Sequence, residues 1–337
     1  LVDFLAVLRT PASVWLPSDW VQTGVLGWLR YQPDALPFYL LWSTAAAFVA
    51  IGAILHWMMY SSGYSKSQEG AGRAAVSETR TANAILQLFP ATRRELVLKE
   101  IRTFLRDTTQ WSQLILVVVL VVVYVFDIRY LPLRGQGITF FLVNVIPFLN
   151  LVLAGFVLAS IAVRFVFPSV SLEGRTWWLL KASPLSMRDL LWAKFWVGTV
   201  ALLALALAIV FTTDVLLQVS EFMTAVSIGT ITLLTFAISG LAIGAGTIFP
   251  QFETENAAQI PTSFGGLIFM MTAISLIAIV VVLEARPVYS YLSATAFGTP
   301  IDTRGMIYGF AATAVLCVAA TLLPIRIAER RLIALER

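Results

Sequence analysis

Apolar residues fall in seven long runs, at about 37–60, 112–131, 139–167, 195–218, 222–249, 262–284 and 305–328, with polar residues gathered between them. A helix rises 1.5 Å per residue, so ~20 apolar residues cross a hydrocarbon layer of about 30 Å. Inside lipid the backbone must satisfy its own hydrogen bonds, and a helix does this within one segment. The runs lack the strict alternation, punctuated by turns roughly every ten residues, that marks a membrane barrel. The pattern therefore predicts an all-α polytopic membrane protein with seven transmembrane helices.

The stretches between the runs differ in kind. Residues 10–37 carry Trp15, Trp20, Trp28 and Tyr31 among Pro11, Pro17, Pro33 and Pro37. Such rings favour the headgroup layer, where one end is dry and the other wet, so an outer aromatic belt is expected there. Residues 61–92 are rich in Ser, Gly, Ala and Thr and show no apolar stripe, which predicts a cytoplasmic linker. Residues 93–111 read as an amphipathic interfacial helix. Thr92 and Glu95 are spaced as a capping box, and Glu95 and Lys99 as an i,i+4 pair. Val97, Ile101, Phe104 and Leu105 form its apolar side, while Arg93, Arg94, Lys99, Arg102 and Arg106 keep the rest basic.

Charge orients the spans. If the seven runs alternate in direction, 17 of the 23 Lys and Arg residues fall on one side, including those of 61–111, of the loop after Arg164 and of the C-terminal tail. Lys and Arg concentrate in cytoplasmic loops, which places the C-terminus inside and the first residue outside. Composition agrees: 59% of residues are hydrophobic and 12% charged, against roughly 25% charged in soluble domains. The surplus apolar surface faces a lipid bilayer, and no nucleic-acid partner is expected. One cysteine, Cys317, and one histidine, His56, exclude an internal disulfide and leave little for a metal site. No GxxxxGK[ST], HExxH, CxxC or GxSxG motif occurs, so no catalytic, cofactor-binding or metal-binding residue is nominated.

Within the spans, Asp127, Asp214, Glu221 and Glu284 read as lying near span ends, where water is close. Asn144 and Asn150 flank Pro147, which predicts a kinked helix. Such a helix can line a transport path, or its asparagines can bond a neighbouring helix. Gly240 and Gly244 have the spacing of a close helix contact.

The loop at 168–194 is unusual. It lies on the cytoplasmic side yet carries Trp177, Trp178, Leu179 and Leu180 in a row, rimmed by Glu173, Arg175, Lys181 and Arg188. Ser183-Pro184 breaks it, and Ser186 with Asp189 can cap a second helix. An apolar cluster with a charged rim fits a protein contact; the two tryptophans fit a membrane anchor equally well.

Here the chain resembles a family. Arg164-Phe165-Val166-Phe167-Pro168, Ser171-Leu172-Glu173-Gly174-Arg175, Trp178-Leu179-Leu180 and Ser183-Pro184-Leu185-Ser186 resemble bacterial type-two ABC exporter permeases. Phe104-Leu105-Arg106-Asp107, Gln110-Trp111-Ser112-Gln113, Phe249-Pro250-Gln251-Phe252-Glu253, Glu255-Asn256 and Gly265-Gly266 are similar to the same branch. The resemblance covers about 93–337. It implies a six-span permease domain over 93–337, with interfacial helix 93–111 (Val97, Ile101, Arg102, Phe104, Arg106) and coupling loop 168–194. Glu173, Gly174, Arg175, Trp177, Trp178, Pro184, Leu185 and Arg188 would be its coupling residues. It also implies a separate ATP-binding subunit holding ATP and Mg, no cofactor and no enzyme activity in this chain, and an inner-membrane location. A second membrane half would come from a dimer or from a preceding segment, with 1–60 as the end of that half. The scarcity of buried charge points to an apolar or amphiphilic substrate. The competing expectations are an ion-coupled transporter or channel, which calls for membrane-embedded acids, and a membrane scaffold that recruits a soluble partner.

Overall fold

The computed structural model describes residues 17–32, 34–69, 91–106, 115–125 except 116, 120 and 124, 140–176, 182, 186–254, 257–298, 300 and 302–334. Among the described residues every regular element is helical, and six helices are long and apolar enough to cross a membrane. The protein is a multi-pass membrane protein. The run expected at 112–131 lies mostly outside the described residues; those that are described between 115 and 125 are helical.

The chain divides into two compact units, 1–85 and 86–337. In the first, α1 (Pro17–Leu29) and α2 (Leu36–Glu69) pack as a hairpin. A side chain at Gly24 would meet the Phe38 ring at 3.1 Å, so the small residue sets how closely the two helices approach. Asp34 accepts from the Leu36 amide at 3.0 Å and caps the entry to α2. The helix continues to Glu69, beyond the expected boundary at 60, because extending a formed helix adds one hydrogen bond for each residue fixed.

The second unit holds α3 (Ala91–Arg106), α4 (Phe140–Phe165), α5 (Met187–Leu217), α6 (Glu221–Ile248), α7 (Phe264–Phe297) and α8 (Thr303–Ala334). Its core lies along α6, which packs against α4, α5, α7 and α8. Two small residues bring α6 and α8 together. A Cβ on Gly240 would fall 2.6 Å from the Thr321 Cα, and one on Gly244 would fall 2.4 Å from the Pro324 Cβ. The spacing of those glycines is therefore a true helix contact. The α5–α6 turn is short: Gln218 closes α5 in the left-handed region at φ 53°, and Ser220 caps α6 by accepting from the Met223 amide. Asn150 donates to Thr213 Oγ1 at 3.0 Å between α4 and α5, so this asparagine is used in helix–helix bonding.

One reading of the acids changes. Glu284 is not at a span end: it is 1% exposed, and α7 runs on to Phe297. Among the described side chains of α3 Leu96 is buried, Val97 is half-buried and Ile101 is 38% exposed. Leu96, Lys99 and Glu100, an i, i+3, i+4 set, face the bundle, with Val97 packed beside them and Ile101 left outside the contact. The side chains of Phe104 and Arg106 lie outside the described residues.

Candidate functional site: a charged junction of three segments

The α-helical ladder of α4 ends at Phe165, and Pro168, which has no amide to donate, takes an early position in the tighter turn that follows, with Val166 and Val170 on either side still in helical geometry. The chain turns instead through two short 3-10 segments, Phe167–Ser169 and Ser171–Thr176. Phe167 is fully buried, and its ring centroid lies 6.0 Å from that of Phe269 on α7. Gly246 lets α6 pass close to this turn, since a Cβ there would sit 2.1 Å from the Phe167 carbonyl oxygen. The turn is fixed on its other side by Ser171, whose hydroxyl accepts from the Gln251 amide at 3.0 Å. The loop after α6 therefore braces the loop after α4.

So anchored, the turn presents Glu173. Gly174 follows at φ 43°, ψ −123°, a conformation open in practice only to glycine, and redirects the chain directly after the carboxylate. Glu173 is 7% exposed and lies between two ammonium groups. Lys194 donates to its Oε1 at 2.7 Å, and Lys99 donates to Oε1 at 2.8 Å and Oε2 at 2.7 Å. Lys194 also donates to Glu100 Oε1 at 2.8 Å, and Lys99 approaches that oxygen at 3.9 Å. Four alternating charges thus join α3, the turn and the first part of α5.

The two lysines differ in setting. Lys194 is 1% exposed at its side chain and Lys99 is 41% exposed. Lys194 stands on the inward stripe of α5, after Met187, Leu190 and Leu191, where the helical repeat otherwise places apolar residues. The next residue, Phe195, is buried and meets Trp192 edge-on at 5.3 Å and Phe236 of α6 at 6.3 Å. A buried charge in such a place is tolerated when it is paired and its donors are used.

Of the nominated coupling residues, Glu173 and Gly174 sit in this junction. Arg175 continues the same turn in its backbone, and Arg188 is exposed on the first turn of α5. Trp177, Trp178, Pro184 and Leu185 lie outside the described residues. Of the interfacial set, Val97 packs against the core and Arg102 is exposed. The Ser186 cap is formed: its hydroxyl accepts from the Asp189 amide at 3.1 Å and donates to Asp189 Oδ2 at 2.7 Å. The expected Glu95–Lys99 pair is not; Glu95 pairs with Arg94 at 3.1 Å, and Lys99 turns to Glu173. The side chain of Thr92 lies outside the described residues. Sequence reasoning missed Lys194 and Glu100. The signal that marks Lys194 is a charge on an apolar stripe.

Compared with known families, residues 1–336 match the family described as "Putative ATP-binding cassette". No curated protein and no solved structure matches the chain. The family match corrects two expectations, that this chain is without enzyme activity and that ATP and Mg sit only on a partner. Both followed from the resemblance to exporter permeases together with the missing phosphate loop. A whole-chain match to an ATP-binding cassette description points to ATP binding in this chain. With a match spanning nearly its full length, the chain belongs to this ATP-binding cassette family.

Proposed function

We propose that the protein is the membrane-spanning component of an ABC exporter and that the junction of Lys99, Glu100, Glu173 and Lys194 is where ATP-driven movement enters the spans. The carrying observation is that one buried carboxylate, Glu173, ties together an interfacial helix, a loop between spans and the start of the next span. A pull on the 168–194 loop would reach α3 and α5 through those bonds and α6 through the contact at Gly246. The loop, with Trp177, Trp178, Pro184, Leu185 and Arg188, is then the surface that docks an ABC partner subunit. The C-terminus is cytoplasmic on this reading, following the excess of Lys and Arg. A second membrane half completes the transport path.

The test is Glu173→Ala and Trp178→Ala in the transporter complex. Each variant is expected to weaken co-purification of the ABC partner or to lower substrate-stimulated ATP turnover at least about fivefold, a loss of roughly 1 kcal/mol of coupling. Unchanged co-purification and unchanged stimulation in both would reject the proposal.

A further inference from the structure

We propose that Glu284 anchors a monovalent-cation site within the membrane-spanning helices, one that takes a proton or an alkali-metal ion. The proposal is independent of the exporter reading. Glu284 occupies position 21 of the 34 residues of α7 and is 1% exposed. Among the described residues no Lys, Arg or His forms an ion pair with it. A bare carboxylate in hydrocarbon costs several kcal/mol, so Glu284 calls for one positive charge that the described residues do not supply.

The groups around it are oxygens. On α6, the Thr230 hydroxyl donates to the carboxylate, its oxygen 2.8 Å from each carboxylate oxygen. On α8, the Thr313 hydroxyl stands beside the same carboxylate, is buried, and makes no properly formed hydrogen bond. Both depart from their helix neighbours. Thr232, Thr235 and Thr247 on α6 donate to carbonyls four residues back, as does Thr321 on α8. A hydroxyl that returns its proton to such a carbonyl turns its lone pairs outward. In this structure Thr230 instead gives its proton to Glu284; on cation binding Thr230 and Thr313 would turn their protons to their own helices and present neutral oxygens beside the carboxylate. One carboxylate and two hydroxyls carry a single negative charge, which suits a monovalent ion. A calcium-type site takes about six to eight oxygens.

The other titratable groups nearby are few: on α7 itself Arg286, two residues on, is exposed and pairs with Asp302 at 3.7 Å. Cys317 on α8 lies within electrostatic reach of Glu284. Helix α4 carries one charge, Arg164 at its far end, and α6 carries only Glu221 in its first turn. On α8 the next charges are Arg304 and Arg326, nine residues before Thr313 and nine after Cys317.

The experiment uses the full chain in mild detergent and follows thermal unfolding. Sodium chloride is titrated against choline chloride at fixed pH, and pH is then varied in choline alone. The wild type is expected to gain about 2–4 °C or more with sodium or with falling pH, and Glu284→Gln to lose that response. Under sodium binding, Thr313→Val raises the sodium midpoint about tenfold; under proton binding it leaves the pH midpoint in place. Identical responses of wild type and Glu284→Gln to both titrations overturn the proposal. If Glu284→Gln does not fold, modification of wild-type Glu284 by dicyclohexylcarbodiimide decides, since it needs the protonated acid. Labelling that falls with sodium or with rising pH supports the site; no labelling, or labelling insensitive to both, overturns it.

Discussion

The ammonium of Lys194 lies 2.7 Å from Oε1 of Glu173, with the lysine side chain 1% exposed and the carboxylate 7%. Removing one partner of such a pair leaves the other charged and dry, which costs about 3–5 kcal/mol. Lys194→Met is expected to fall near the lower end, because Lys99 still reaches Glu173. Unfolding in a denaturant series in mild detergent checks this, and a loss below about 1 kcal/mol would refute it.

Lys99 makes bonds of the same length to the same carboxylate but is 41% exposed. Water already screens it, so Lys99→Ala is expected to cost no more than about 1 kcal/mol, shrinking further in high salt. The same denaturant series compares the two lysines directly. Equal losses from Lys99→Ala and Lys194→Met would show that burial does not set their ranking.

Gly174 permits the turn that aims Glu173. An alanine at φ 43°, ψ −123° is strained by about 1–3 kcal/mol. If the strain acts by displacing the carboxylate, Gly174→Ala and Lys194→Met will be less than additive when combined. Full additivity would separate the turn from the junction.

The glycines of α6 predict a contrast. Gly244→Ala would drive a methyl to 2.4 Å from the Pro324 Cβ and 2.9 Å from its carbonyl carbon, an overpacking cost of about 1–3 kcal/mol. At Gly229 nothing lies within 4 Å of the added carbon, so Gly229→Ala is expected to be neutral or stabilising by about 0.5–1 kcal/mol. Melting temperatures of the two variants should move in opposite directions.

Much of this architecture was legible because the bilayer imposes it. The apolar runs at 195–218 and 222–249 became α5 and α6, and Ser186 marked the start of the first of these as its spacing from Asp189 suggested. Local chemistry carried that information. The junction was less legible, because its partners are far apart in sequence: Glu173 lies 74 residues from Lys99. Glu95 stood one helical turn from Lys99 and appeared to be its partner, yet a buried carboxylate offers a stronger attraction than an exposed one. Glu284 was misplaced for a different reason. The apolar run ends there, but the helix does not; Ala285, Arg286 and Pro287 continue it. Hydropathy located the end of an apolar stretch, whereas helix length depends on the backbone ladder and on packing of Pro287 against Gly309.

The distances along the chain that hid the junction also set its timing during synthesis. Glu100 leaves the ribosome 94 residues before Lys194. At about 5–20 residues per second, the acid waits roughly five to twenty seconds for its counter-ion. Throughout that interval α4 must enter the membrane and the turn after it must form. The last residue to arrive, a lysine on an otherwise apolar stripe, closes a junction whose other members come from an earlier helix and an earlier turn.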